Sequence, residues 1–304
     1  MAAWERAILE ARSWPFFDAD AGEALSSLER MLETPRRLWM AAAACVAAFL
    51  ALLAVVYTTE PGAAADERAL HGFGELQRPR LAELADGIAN LADPKPFALI
   101  GLVLVVIAFV RGYPLVGIAA GVVLVGANVT SQVLKPLLAT PRGAFGEFDV
   151  AAEAFPSGHA TAAMSLALAA VMVAPARFRP LVGFVGAGFA LAVGFAIMSL
   201  DWHFPSDVAG GYLVAATWCF AALAVLRTGR LKAALPEREE PYAWWPAVVA
   251  MLVPLLVVGW LALERLPRVT GYAEGHTTFA AVAAATAVLV AVLVGAVLTV
   301  HDRR

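Results

Sequence analysis

Cysteine is nearly absent. Cys45 and Cys219 are the two in 304 residues, each set in an apolar run. Two isolated thiols exclude a disulfide framework and a cysteine-rich zinc site. Charge is scarce too: 15% of residues are charged, against roughly 25% in a soluble domain. A basic excess is also lacking, since the net charge is -3. That argues against nucleic acid as a partner, which would need a basic face. Carboxylate pairs with magnesium spacing are missing beside the titratable cluster described below, so no metal and no other cofactor is expected there.

What fills the chain instead is apolar surface. Hydrophobic residues make up 61% and the mean hydropathy is +0.74. The expectation is an all-α integral membrane protein whose surroundings are membrane lipids, because a helix satisfies its own backbone hydrogen bonds in lipid. At about 1.5 Å per residue, some 20 residues cross the hydrocarbon. Apolar runs of that kind lie at about 38–57, 96–110, 113–136, 158–175, 180–200, 207–226, 244–263 and 277–300. Residues 1–37 read as a cytoplasmic amphipathic segment, 38–226 as a six-span core, and 227–304 as a cytoplasmic linker followed by two further spans. The polar stretch 58–94 carries apolar residues at Leu70, Phe73, Leu76, Leu81, Leu84, Ile88 and Leu91. That pattern suggests amphipathic helix lying over the bundle.

With the N-terminus inside, most of the 22 Lys and Arg residues fall in cytoplasmic connections, as the positive-inside rule requires. The same assignment sends Lys135, Arg142, His159, His203 and Asp207 to the outer face of a plasma membrane. Titratable groups are costly at membrane depth, so their gathering marks a functional site.

The chemistry of that cluster is specific. Ser157 and Gly158 open a helix, whose free N–H groups and positive dipole end attract an anion. Lys135 and Arg142 add formal charge, and Arg can grip a phosphate with two parallel hydrogen bonds. His203 and Asp207 are spaced for a carboxylate to fix one imidazole tautomer and free the other nitrogen for attack. His159 suits a general acid. Together they describe phosphoryl transfer through a phosphohistidine.

Three segments carry a resemblance. Lys135 with Arg142, then Pro156-Ser157-Gly158-His159, then His203-Phe204-Pro205-Ser206-Asp207-Val208-Ala209-Gly210-Gly211 resemble the signatures of the type-2 phosphatidate phosphatase (lipid phosphate phosphatase) superfamily. The resemblance spans about 38–226. It implies a six-helix phosphatase core, here extended by two C-terminal transmembrane helices. It also implies His203 as nucleophile, Asp207 as its partner and His159 as acid, with phosphate held by Lys135, Arg142, Ser157 and Gly158. The implied substrate is a lipid phosphate or diphosphate. Transfer of a phosphoryl group to another acceptor, and non-catalytic binding of lipid phosphate, are the alternative readings. Two positions depart from the family: Gly143 follows Arg142 where the family has Pro, and Ala196-Ile197 stands where it has Ser-Arg. Asp201 lies close to His203 in sequence and would oppose an anion. Gly275-His276-Thr277-Thr278 opens the last span from the outer face, and His276 is expected as an accessory contact at the rim of the phosphate site.

Overall fold

The computed structural model describes residues 34–141, 150–228 and 266–301. Among them every regular element is helical. In chain order they are α1 (Pro35–Thr58), α2 (Glu60–Gly74), α3 (Pro79–Asn90), α4 (Pro94–Val110), α5 (Pro114–Leu137), α6 (Gly158–Val173), α7 (Arg179–Ser199), α8 (Pro205–Leu226), α9 (Leu266–Gly275) and α10 (Thr277–His301). A single 3-10 turn, Ala176–Phe178, leads into α7.

Proline sets the starts. α1, α2, α3, α4, α5, α7 and α8 each carry one at the first or second position. There the missing N–H would have had no intrahelical partner, and the fixed φ favours the first turn. α6 begins differently: Ser157 caps it, its side chain accepting from the Ala160 N–H at 3.3 Å.

α1, α5, α7, α8 and α10 are long and apolar enough to cross a membrane, α7 together with its lead-in turn. α3 and α4 together form a sixth candidate, bent by 49° at the break between them. α6 has 16 residues, about 24 Å of helix, and is shorter than a full span. It is also the most enclosed, with Ala160, Thr161, Met164, Ser165 and Leu168 wholly buried. α5, α7 and α8 surround it, and α1 lies along α8. Leu99, Leu102, Val125 and Val129 point outward at more than half exposure, as lipid-facing side chains do. The expected span at 244–263 and the segment 1–33 lie outside the described residues.

The stretch 58–94 differs from a single surface helix. It is two helices broken at Glu75–Arg78, before Pro79. α2 also buries two of its three acids: Asp66 and Glu67 are 8% and 2% exposed. The apolar periodicity placed the helix correctly but said nothing of what its polar face would meet, which is the start of α8.

Helix ends sort by charge. The Arg111 guanidinium donates to the Val173 carbonyl, Arg179 Nε to the Ala174 carbonyl at 3.1 Å, and Arg227 to the Val300 carbonyl. These cations cap carbonyl ends, where the helix dipole favours them, and all lie at the end of the bundle opposite His203.

Candidate active site

Three elements bring the site together. The segment before α8 supplies His203, and the first turn of α8 supplies Asp207. The start of α6 supplies Ser157, Gly158 and His159, and the last turn of α5 supplies Lys135. α6 and α8 are joined by backbone: the Ser157 N–H donates to the Asp207 carbonyl at 2.9 Å. Gly211 allows the closeness, since a Cβ there would lie 2.7 Å from the Ser157 carbonyl and 2.9 Å from Thr161 Oγ1. The peptide bond entering this turn, Phe155–Pro156, is cis.

Asp207 is wholly buried and His203 nearly so. Asp207 Oδ2 lies 3.4 Å from His203 Nδ1 and accepts the Phe204 N–H at 3.0 Å. A carboxylate accepting at Nδ1 holds the proton there and leaves the Nε2 lone pair available. Lys135 is half-buried beside the α6 terminus: a Cβ on Gly158 would lie 3.9 Å from its Cε and 3.2 Å from Gln132 Nε2. Lys135 and His203 are both within electrostatic reach of His159. Arg142 lies outside the described residues.

Two acidic residues not singled out from the sequence belong to this constellation. Asp93, at the α3–α4 bend, places Oδ1 3.1 Å from His159 Nε2. Asp66 of α2 takes the Ser206 N–H at 3.0 Å and its hydroxyl at 2.5 Å, pinning the start of α8 directly after His203. The signal for Asp93 was an Asp-Pro pair at a helix start; its partner is 66 residues away. The Trp202 ring lies 5.8 Å from that of His159.

Asp201 packs against α2 and the turn after it. It sits at φ 58°, the left-handed region, where a non-glycine residue is uncommon. This turns the carboxylate toward α2, against Gly74, with Gln77 Nε2 3.4 Å from Oδ2. Burial pushes its pKa above the usual carboxylate range, and nearby His71 partly opposes that. Ile197 is wholly buried, so position 197 supplies no cation. Arg78 turns back onto the Gln77 and Glu75 carbonyls, and Arg80 and Arg268 are exposed. His276 is placed on Glu75, with Nε2 2.9 Å from Oε2, and its ring stacks on Tyr272 at 4.2 Å.

Residues 112–230 match the PAP2 superfamily. The matched segment runs from the turn before α5 to just past α8, and so holds Lys135, Arg142, Ser157, Gly158, His159, His203 and Asp207. Among solved structures, the chain is similar to the first transmembrane PAP2-type phosphatidylglycerolphosphate phosphatase from Bacillus subtilis. The identity is 23% and the TM-score 0.53, over 60% of this chain and 94% of that one. At that identity the likeness establishes the fold. No curated protein matches the chain.

Proposed function

We propose that the protein is a multi-pass plasma-membrane phosphatase that removes phosphate from a lipid phosphate or diphosphate at the outer face. The supporting observation is the direct tie between two signature segments: Ser157 N–H on the Asp207 carbonyl, with Asp207 Oδ2 on His203 Nδ1. Nucleophile, orienting acid and anion-binding helix start are thereby one unit. The PAP2 match over the same residues supports the reading.

In this mechanism the substrate phosphoryl group sits at the start of α6, held by backbone N–H groups, by Lys135 and by Arg142. His203 Nε2 attacks phosphorus as the bond to the lipid-side oxygen breaks. His159 gives that oxygen its proton, so the lipid leaves neutralised at that atom. Asp93 accepts from His159 Nε2–H and supports the imidazolium, leaving Nδ1–H to serve the leaving group. Water then attacks the phosphohistidine, giving a proton to His159, and the P–N bond breaks to release inorganic phosphate. Asp207 holds the tautomer throughout and stabilises positive charge on His203.

The outer-face assignment rests on the Arg111, Arg179 and Arg227 ends lying opposite the site, where positive-inside reasoning puts the cytoplasm. A lipid substrate is favoured because the proposed phosphate position is set by the ends of apolar helices α5, α6 and α8, so a headgroup there would leave its tail in the bilayer.

The test is phosphate release from a lipid-phosphate panel in detergent: polyprenyl diphosphate, phosphatidate and phosphatidylglycerophosphate. Wild type should turn over at least one, and His203→Ala none. Phosphoryl transfer to an added alcohol without phosphate release would make it a transferase. Saturable binding with no turnover would make it a binding scaffold. Unchanged turnover in His203→Ala would overturn the phosphohistidine route.

A further inference from the structure

Outside the PAP2 segment, three metal-competent side chains converge where the C-terminal helices meet the core. His71 and Glu75 stand one turn apart at the end of α2 and so share a face. His276 lies at the junction of α9 and α10. Their ligand atoms all lie within 4.8 Å of one another. Each carboxylate oxygen of Glu75 faces one imidazole: Oε1 is 3.4 Å from His71 Nδ1 and Oε2 is 2.9 Å from His276 Nε2.

The tautomer of His276 is constrained. Its Nδ1 lies 3.1 Å from the Tyr272 carbonyl, which can only accept, so Nδ1 carries a proton. In the neutral ring Nε2 is then a bare lone pair facing a carboxylate oxygen. Two acceptors at 2.9 Å need a proton or a metal ion between them. A histidine that donates one nitrogen to a backbone carbonyl and offers the other to a cation is the usual arrangement in metal sites. The support behind it is packed. The Tyr272 ring stacks on His276, and its hydroxyl donates to the Gly72 carbonyl at 2.5 Å. Phe279 crosses Gly72 so closely that a Cβ there would meet Phe279 Cβ at 2.5 Å.

We propose that His71, Glu75 and His276 bind one divalent transition-metal ion, zinc by its donor set, which clasps the α9–α10 pair to α2. Two imidazoles and one carboxylate match the zinc ligands of known sites and leave a fourth position for water. Bonds of about 2.1 Å in a tetrahedron put ligand atoms roughly 3.4 Å apart. Each imidazole already stands near that distance from one oxygen of Glu75, His71 from Oε1 and His276 from Oε2. Closing the remaining gap requires rotation of His71 and Glu75, and both are exposed. The ion would be structural, joining segments 200 residues apart in the chain, as the Tyr272–Gly72 bond already does. It stands apart from the phosphoryl-transfer chemistry, and none of its ligands belongs to the signature segments.

The experiment uses full-length, tag-free protein in detergent, stripped with chelator and titrated with zinc by calorimetry and elemental analysis. One zinc per chain with micromolar or tighter affinity is expected. His276→Ala should weaken it by about 100-fold and Glu75→Gln by at least about tenfold. Zinc should raise the Tm of wild type but not that of His276→Ala. His159→Ala should still bind one zinc, which separates this site from the phosphate pocket. Glu75→Gln is nearly isosteric and keeps a hydrogen-bonding partner, so its folding guards against misreading a collapsed variant. No binding to wild type at about 100 μM free zinc, or equal affinity in Glu75→Gln, would overturn the proposal and leave a protonated His276–Glu75 pair.

Discussion

Replacing Gly211 with alanine probes how tightly the site is held. Gly211 lies one turn past Asp207 on α8, and its missing side chain is the space into which α6 fits. An added Cβ would stand 2.7 Å from the Ser157 carbonyl oxygen, 2.9 Å from Thr161 Oγ1 and 3.0 Å from Thr161 N. Ordinary contact begins at 3.4 Å, so the start of α6 must retreat by about 0.7 Å. Two of the three contacts are backbone and cannot rotate away. The retreat lengthens the Ser157–Asp207 bond and carries Gly158 and His159 away from His203. A misplacement near 1 Å costs about 100-fold in rate, so kcat/KM should fall roughly 10- to 100-fold. Stability should change less. Overpacking costs about 1–3 kcal/mol, and the helical preference of alanine over glycine returns about 1 kcal/mol. Gly188 on α7 is the control, because a Cβ there meets nothing within 4 Å. The assay is steady-state phosphate release beside a thermal melt. Wild-type kcat/KM in Gly211→Ala, with an unchanged melt, would refute the idea that this contact sets the distance between acid and nucleophile.

Other perturbations have defined outcomes. Asp207→Asn should keep the fold but lower kcat by about 10⁴, through loss of the correct His203 tautomer; a loss under tenfold would deny Asp207 that role. Asp93→Asn should lower kcat by about 10- to 100-fold with little change in KM, since it acts through the acid and not through phosphate binding; a KM effect alone would place Asp93 in substrate binding instead. Asp201→Asn should raise the Tm at neutral pH. The folded carboxyl holds its proton to higher pH than the unfolded one, so wild type loses stability as pH rises from about 4 through the folded value. Asparagine also tolerates the left-handed backbone. The Tm advantage should be absent below about pH 4 and constant above the folded value; a pH-independent difference would deny the carboxyl any part in it. Asp66→Ala should unseat Ser206 and lower both Tm and kcat, the Ser206 N–H losing its acceptor.

The residues themselves announced much of this protein. Continuous apolar runs pointed to membrane helices, because a helix satisfies its own backbone in lipid, and α1, α4, α5, α6, α7, α8 and α10 lie on seven of the eight runs, although α6 is shorter than a full span. Proline positions marked the helix starts. Parity of spans put Lys135, His159 and His203 at one end of the bundle before any packing was known. The His203–Asp207 pair needed only the spacing of one helical turn.

What remained hidden involves partners that meet through packing. Asp93 and His159 are 66 residues apart and Asp66 and Ser206 140 apart; no local period encodes which helix lies beside which. Nearness in sequence to His203 did not reveal that the Asp201 carboxylate, at a positive φ, lies against Gly74 and Gln77. His276 follows a glycine at a helix start as His159 does, and its contacts are Glu75 and Tyr272, at the end of α2 and on α9. Periodicity specifies which face of a helix is buried, but the neighbour it is buried against follows from the shapes of the assembled helices. The close approaches at Gly72 and Gly211 set those shapes, and they arise only once the bundle is formed.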